Sequence, residues 1–257
     1  MELPLLPKSR QRWISHLHSK RHRDRERCFL AEGIRTLSEL LASTYRARFA
    51  VCTEETAREH RTIVEGFIKR GVPCYVTDGQ TLARLAQTTS PQGMLAVVEY
   101  PEPEPSSIPE GSVVALDGIN DPGNAGTIVR TALWFGYAAV VFGQESVDRY
   151  HPKFVRATMG ALFHLQLIEA PIETIMQQVS ASHRIIGTCT SNGIPLAAYT
   201  APLQPHVLVI GSEAHGLSPS VRSLVHDCVT IEGQGSFDSL NAAVAAAIVM
   251  YHLASKA

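Results

Sequence analysis

Apolar residues recur at helical spacing in Ile34, Leu37, Leu40 and Leu41, and again in Ile63, Val64, Phe67 and Ile68. This predicts two amphipathic helices. Short β-type runs accompany them at Phe49-Ala50-Val51, Cys74-Tyr75-Val76 and Met94 to Val98, and the alternation implies a small layered α/β domain. Beyond residue 111 the pattern changes. Val113–Leu116, Ala138–Phe142, Arg184–Gly187, Val207–Ile210 and Cys228–Ile231 are near-continuous apolar runs, as expected of parallel strands buried on both faces. Helical patterns lie between them at Ile128–Phe135 and after Pro171, and a last helix is expected to start at Ser239 as N-cap and run through Ala242–Ala247. The second half therefore reads as an open α/β sheet.

Between these patterns lies PEPEPSSIPEG, residues 101–111, with four prolines and no apolar period. It reads as a semi-rigid linker. The expected organisation is thus a domain over residues 1–99, a Pro-rich linker over 100–111 and a second domain over 112–257. Charge changes sign at the same place: residues 1–100 carry 16 Lys/Arg against 11 Asp/Glu, and residues 101–257 carry 7 against 13. A net charge of −1 conceals a basic front half suited to a polyanion. The five cysteines (Cys28, Cys52, Cys74, Cys189, Cys228) are scattered without a C-x-x-C pair. That fits neither a disulfide framework nor a zinc site, and points to a reducing compartment. No apolar core follows the basic run Lys8–Arg27, so a signal peptide is not expected, and Leu240–Leu253 is too short to span a bilayer. A cytoplasmic protein is the plain expectation. His151, His164 and His206 lack a shared metal-ligand spacing, so no metal is expected.

Three predicted strand ends open into loops rich in Gly and small polar residues: Leu116 to Gly126, Ile210 to Ser218 and Ile231 to Asn241. Ligands of open α/β sheets sit outside the carboxyl ends of strands. Any one of these loops alone is explained by ordinary turn residues. None carries the G-x-G-x-x-G or G-x-x-x-x-G-K-[ST] fingerprint, which disfavours an NAD-dependent oxidoreductase or a nucleoside triphosphatase.

The joint pattern is more specific. D-P-G-N-A-G-T-I-V-R-T-A from Asp121, V-I-G-S-E-A-H-G-L-S from Val209 and S-L-N-A-A-V-A-A-A-I from Ser239 resemble, in order and spacing, the three motifs of the SpoU/TrmH family of RNA 2′-O-ribose methyltransferases, within the SPOUT superfamily. The block Tyr150–Ala161 resembles the family segment between the first two motifs. Phe29-Leu30-Ala31-Glu32-Gly33 and Ser90-Pro91-Gln92-Gly93 resemble its ribosomal-protein-like substrate-binding domain. The resemblance implies a parallel sheet whose carboxyl-terminal part forms a deep trefoil knot, a small N-terminal α/β domain, S-adenosylmethionine as cofactor, RNA as substrate and a homodimer formed through the methyltransferase domain. Ribosomal RNA is the first expectation for the target and transfer RNA the second.

Carried over by motif, the catalytic candidates are Asn124, Arg130, Glu213, Ser239 and Asn241. The cofactor would lie on Thr188, Ile210, Gly211, Ile231, Gly235 and Leu240. The family often has proline where this chain has Glu232, and valine where it has Ala242. Arg130 is expected to bind a phosphate and stabilise the developing alkoxide, because a guanidinium keeps its proton. Glu213 is expected to orient Arg130 or brace its loop, and Asn124 and Asn241 to fix ribose or loop geometry. RNA contacts are expected from Lys8, Arg10, Arg12, Lys20, Arg21, Arg23, Arg130 and Arg156. The basic run could instead be a solvated face. Trp13, Ile14 and Leu17 imply a short helix in that arm. The competing reading is an inactive RNA-binding or assembly relative of the same fold; retention of the five catalytic candidates argues against it.

Overall fold

The computed structural model describes residues 2–86, 88, 90–102, 108–234 and 239–254. Its contacts divide the chain into two units, Met1–Glu104 with Tyr150–His164, and Pro105–Arg149 with Leu165–Ala257. The split falls inside the Pro-rich segment. The block 150–164, which the sequence places in the second domain, packs within the first unit.

In the first unit, helices α1 (Lys8–His16) and α2 (Lys20–Glu26) precede β1 (Cys28–Glu32) and α3 (Ile34–Leu41). There follow β2 (Ala47–Cys52), α4 (Glu54–Glu59), α5 (Arg61–Lys69), β3 (Cys74–Val76), α6 (Gly79–Ala86) and β4 (Met94–Glu99). The sheet order is β1-β4-β2-β3, with only the β2–β3 pair parallel. Alternating strand residues divide its two faces. On one, Leu30, Val51, Leu95 and Val97 pack with Ile14 from α1, Leu17 just after it, and Leu82 and Leu85 from α6. On the other, Phe29 stacks on Tyr150 at 4.7 Å, and Phe163 lies edge-on to Tyr45 at 5.1 Å. This aromatic cluster is why 150–164 joins this unit, with Phe154 and Val155 fully buried.

The second unit runs β5 (Val113–Asp117), α7 (Pro122–Trp134) and β6 (Ala139–Phe142). The chain then lends α8 (Pro152–Thr158) to the first unit. It returns as β7 (Gln166–Glu169), α9 (Ile172–Val179), β8 (Arg184–Cys189), β9 (Ile194–Pro195), β10 (His206–Gly211), α10 (Pro219–Arg222), β11 (Asp227–Thr230) and α11 (Ala242–Ala254). The strands form one parallel sheet in the order β7-β6-β5-β10-β8-β11-β9. Val113, Val141, Val207 and Val209 face a layer built from α9 and α10. The alternate residues face α7 and α11, which pack on each other.

Two expectations are corrected here. Cys189 and Cys228 are joined as a disulfide between the neighbouring strands β8 and β11, Cα atoms 6.0 Å apart. Strand pairing brings together cysteines 39 positions apart, which no spacing rule reveals, so the cysteine argument for a reducing compartment loses its footing. The remaining Cys28, Cys52 and Cys74 are buried, and burial pushes their thiols up to about 11, 12 and 11. Secondly, α11 is capped not by Ser239 but by Asn241, whose Oδ1 accepts from the Ala243 and Val244 amides at 3.0 and 3.3 Å.

Candidate active site

In the second unit the strand order switches sides between β5 and β10: β6 and β7 lie beyond β5 on one side, and β8, β11 and β9 beyond β10 on the other. Such a switch point opens a crevice at the carboxyl ends of the strands. β5 and β10 end in register, Asp117 opposite Gly211. After β5, Asp121 starts α7 with its Oδ1 accepting from the Asn124 amide at 2.8 Å, and Pro122 takes the first helical position, where its missing N–H costs nothing. After β10, the loop folds back through paired backbone hydrogen bonds between Ser212 and Gly216. Asp117 ties its far end, accepting from the Ser218 amide at 2.6 Å.

Three of the five catalytic candidates meet there. Asn124 Nδ2 donates to Glu213 Oε1 at 2.8 Å, and Asn241 Nδ2 donates to the same oxygen and to Asn124 Oδ1, both at 3.0 Å. The Ala242 amide adds a fourth bond, to Glu213 Oε1 at 3.1 Å. One carboxylate oxygen thus gathers the N-termini of α7 and α11, whose positive ends favour it. Of the two roles expected of Glu213, the pair with Arg130 is not made among the described residues, whereas Oε1 braces its loop against the amide donors of α7 and α11. The Arg130 side chain is exposed on α7 and, among the described residues, makes neither hydrogen bond nor ion pair. Ser239 is exposed and outside this network.

Of the cofactor candidates, Thr188, Ile210, Gly211 and Ile231 lie at or just beyond the carboxyl ends of the adjacent strands β8, β10 and β11. A Cβ at Gly211 would sit 2.3 Å from the Gly216 carbonyl carbon and 2.5 Å from the Leu217 nitrogen, so only glycine lets the two backbones pass. Leu240 is 47% exposed and Ile231 half-buried. A backbone cradle flanked by apolar side chains suits a flat heterocycle with a polar tail. Gly235 lies outside the described residues.

The basic arm is sorted by the structure. Arg23 is 2% exposed, with its Nη1 donating to the Leu17 and His18 carbonyls at 2.9 and 2.8 Å. It ties α2 to the turn after α1 and cannot reach a phosphate. Arg10 lies over the Phe49 and Tyr75 rings, and Lys20 pairs with Asp24 at 2.7 Å. Lys8, Arg12 and Arg21 are exposed. Sequence reasoning missed Asp117 and Asp121, although the Asp-Pro pair at 121–122 is a readable helix start. No helix of the described residues is long and apolar enough to cross a membrane, and no group of three or more His, Cys, Asp or Glu among them could hold a metal ion.

Fold and site define a parallel α/β domain with a ligand cradle at its topological switch point. The chain belongs to the SpoU rRNA methylase family, whose model matches residues 111–251; the MRM3-like substrate binding domain matches residues 9–96. It is 29% identical to a Bacillus subtilis 23S rRNA (guanosine-2553) 2′-O-methyltransferase, RlmP, over 92% of each chain. Among solved structures it resembles the AdoMet-bound rRNA methyltransferase of Sinorhizobium meliloti at 26% identity and TM-score 0.86, covering 98% of this chain and 97% of that one. It also resembles the Streptomyces viridochromogenes SpoU methyltransferase AviRb in complex with AdoMet, at 26% identity and TM-score 0.83, covering 96% and 98%.

Proposed function

We propose that this chain transfers the methyl group of S-adenosylmethionine to a ribose 2′-hydroxyl of ribosomal RNA, acting as a homodimer in the cytoplasm. The observation that carries this is the Asn124–Glu213–Asn241 network, which joins all three motifs beside the strand-end cradle. Family membership and the AdoMet-bound relatives support the cofactor. Transfer RNA remains the second target class.

Bound S-adenosylmethionine supplies an electrophilic methyl on a sulfonium. Thr188, Ile210, Gly211, Ile231 and Leu240 would hold it. Glu213 keeps the α7 and α11 N-termini fixed around that cradle, so the approach of a ribose is set before it binds. Arg130, free to turn toward RNA, would hold a phosphate and favour oxygen anion as the hydroxyl loses its proton to water or phosphate. Exposed Lys8, Arg12 and Arg21 would follow the RNA backbone.

The dimer reading rests on an apolar stripe along α11, where Val244, Ile248 and Tyr251 are 48%, 38% and 64% exposed, with Trp134 at the end of α7 83% exposed. Such a patch marks an interface more often than a solvated face. The proposed activity is tested by incubating the purified chain with methyl-labelled S-adenosylmethionine and ribosomal RNA from cells lacking it. Label in 2′-O-methylribose is expected. Cofactor binding with no label in ribosomal or transfer RNA would mean an inactive relative.

A further inference from the structure

A second cavity, of about 210 Å³, lies wholly within the first unit and is lined by Glu32, Arg35, Thr36, Gln92, Arg156 and Met159, among others. Its floor is built by the end of β1. Glu32 closes that strand opposite Leu95, and Gly33, at φ +99°, turns the chain into α3. Gln92 is fixed across the turn, its Oε1 accepting from the Ile34 amide at 3.0 Å. From the other side Arg156 arrives on α8, and Met159 is held at φ +51° just after that helix.

Glu32 is the anomaly. Its side chain is only 8% exposed, and Oε2 accepts no hydrogen bond among the described residues. The Arg156 guanidinium forms an ion pair with it at 3.6 Å, too far to donate a hydrogen bond. Burial pushes the carboxyl up to about 7, against the pull of Arg156. An ion pair alone leaves this buried acceptor without a hydrogen-bond donor, which costs stability and leaves room for a donor from a ligand. Such a ligand must bring N–H or O–H donors into a pocket whose rim is cationic, with Arg35, Arg156 and the positive N-terminal end of α3.

We propose that this pocket takes one unstacked guanine nucleotide of the RNA, with Glu32 accepting from the base and the two arginines holding its phosphate. The inference rests on the RNA-methyltransferase reading. Guanine alone among the four bases presents two adjacent donors, N1–H and the 2-amino group, which match the two oxygens of a carboxylate. Adenine and cytosine present an amino group beside a bare acceptor, and uracil a single N–H between two carbonyls. RNA sequence is read mainly on such splayed-out bases. Thr36 and Gln92 line the pocket as further polar partners, and the Met159 thioether offers a polarizable surface to a ring face.

The test is calorimetric titration of the full chain with 5′-GMP, inosine 5′-monophosphate and 5′-AMP. Inosine differs from guanosine only in lacking the 2-amino group. GMP is expected to bind about tenfold more tightly than the inosine nucleotide and more tightly still than AMP, and Glu32→Gln should erase the preference. Equal binding of the three nucleotides, no GMP binding at millimolar concentration, or a preference unchanged in Glu32→Gln would each overturn the proposal. The wild-type contrast between GMP and inosine monophosphate stands even if the variant folds poorly. Failure of the two readings is separable: a chain that methylates RNA without preferring GMP loses only the pocket, whereas one that transfers no methyl loses the proposed function.

Discussion

Asn124 and Glu213, 89 positions apart in the chain, are joined by a 2.8 Å hydrogen bond from the Asn124 amide nitrogen to Glu213 Oε1. That bond ties the loop after β10 to the first turn of α7, and Asn241 extends it to α11. Glu213→Ala removes the acceptor that the Asn124, Asn241 and Ala242 donors share. Methyl transfer should fall on the order of 100-fold, as misplacement of a reacting group by an ångström does. Single-turnover assays check this; transfer within twofold of wild type would show the network to be incidental.

Arg130 stands apart from this network, so its removal should leave the fold intact. Arg130→Ala is expected to melt within a degree or two of wild type and to bind S-adenosylmethionine normally, while transfer drops by about two to three orders of magnitude. Calorimetry with the cofactor, run beside the transfer assay, separates these effects. Wild-type turnover would remove Arg130 from the mechanism.

His206 supplies a pH dependence. Its ring is 9% exposed, with Nε2 2.9 Å from the Tyr137 hydroxyl and Nδ1 3.1 Å from Ser112 Oγ. Burial, with a smaller contribution from His183, lowers its pKa to about 4. Below the ordinary histidine value the unfolded chain takes up a proton that the folded chain refuses. The stabilisation is therefore full above pH 6.5 and lost as pH falls toward 4, by on the order of 3 kcal/mol. Thermal melts of wild type and His206→Gln between pH 7 and 4 check it. The variant should be less stable at pH 7 but show the flatter profile; parallel profiles would contradict the assignment.

The apolar stripe on α11 predicts its own outcome. Tyr251→Asp combined with Ile248→Asp should convert a dimer to a monomer in analytical ultracentrifugation, since charged groups are disfavoured in an interface core. A wild-type chain that sediments as a monomer would remove the dimer from the proposal.

The strands of the second unit were legible because parallel strands buried on both faces read as unbroken apolar runs: β5, β6, β8, β10 and β11 lie within two residues of their predicted bounds. β7 and β9 were missed. β9 is a two-residue edge strand, and Gln166–Glu169 has only two central apolar residues. β1 was not recognised as a strand, although Phe29 to Glu32 stood out as a motif, because it is buried almost throughout and too short to show a period. The strand-end loops were visible, but not the bonds within them. The Asn124–Glu213–Asn241 contacts depend on sheet order, and so does the Cys189–Cys228 pair. Arg23 misled because composition counts charges without showing which of them the fold buries.

Mapping ribose 2′-O-methylation across total RNA from cells with and without this chain shows whether it methylates ribosomal RNA. Without the protein, methylation should be lost at a defined ribose of ribosomal RNA, and be restored by the wild-type chain but not by Arg130→Ala. Identical maps from cells that do and do not make the protein would contradict the proposed function.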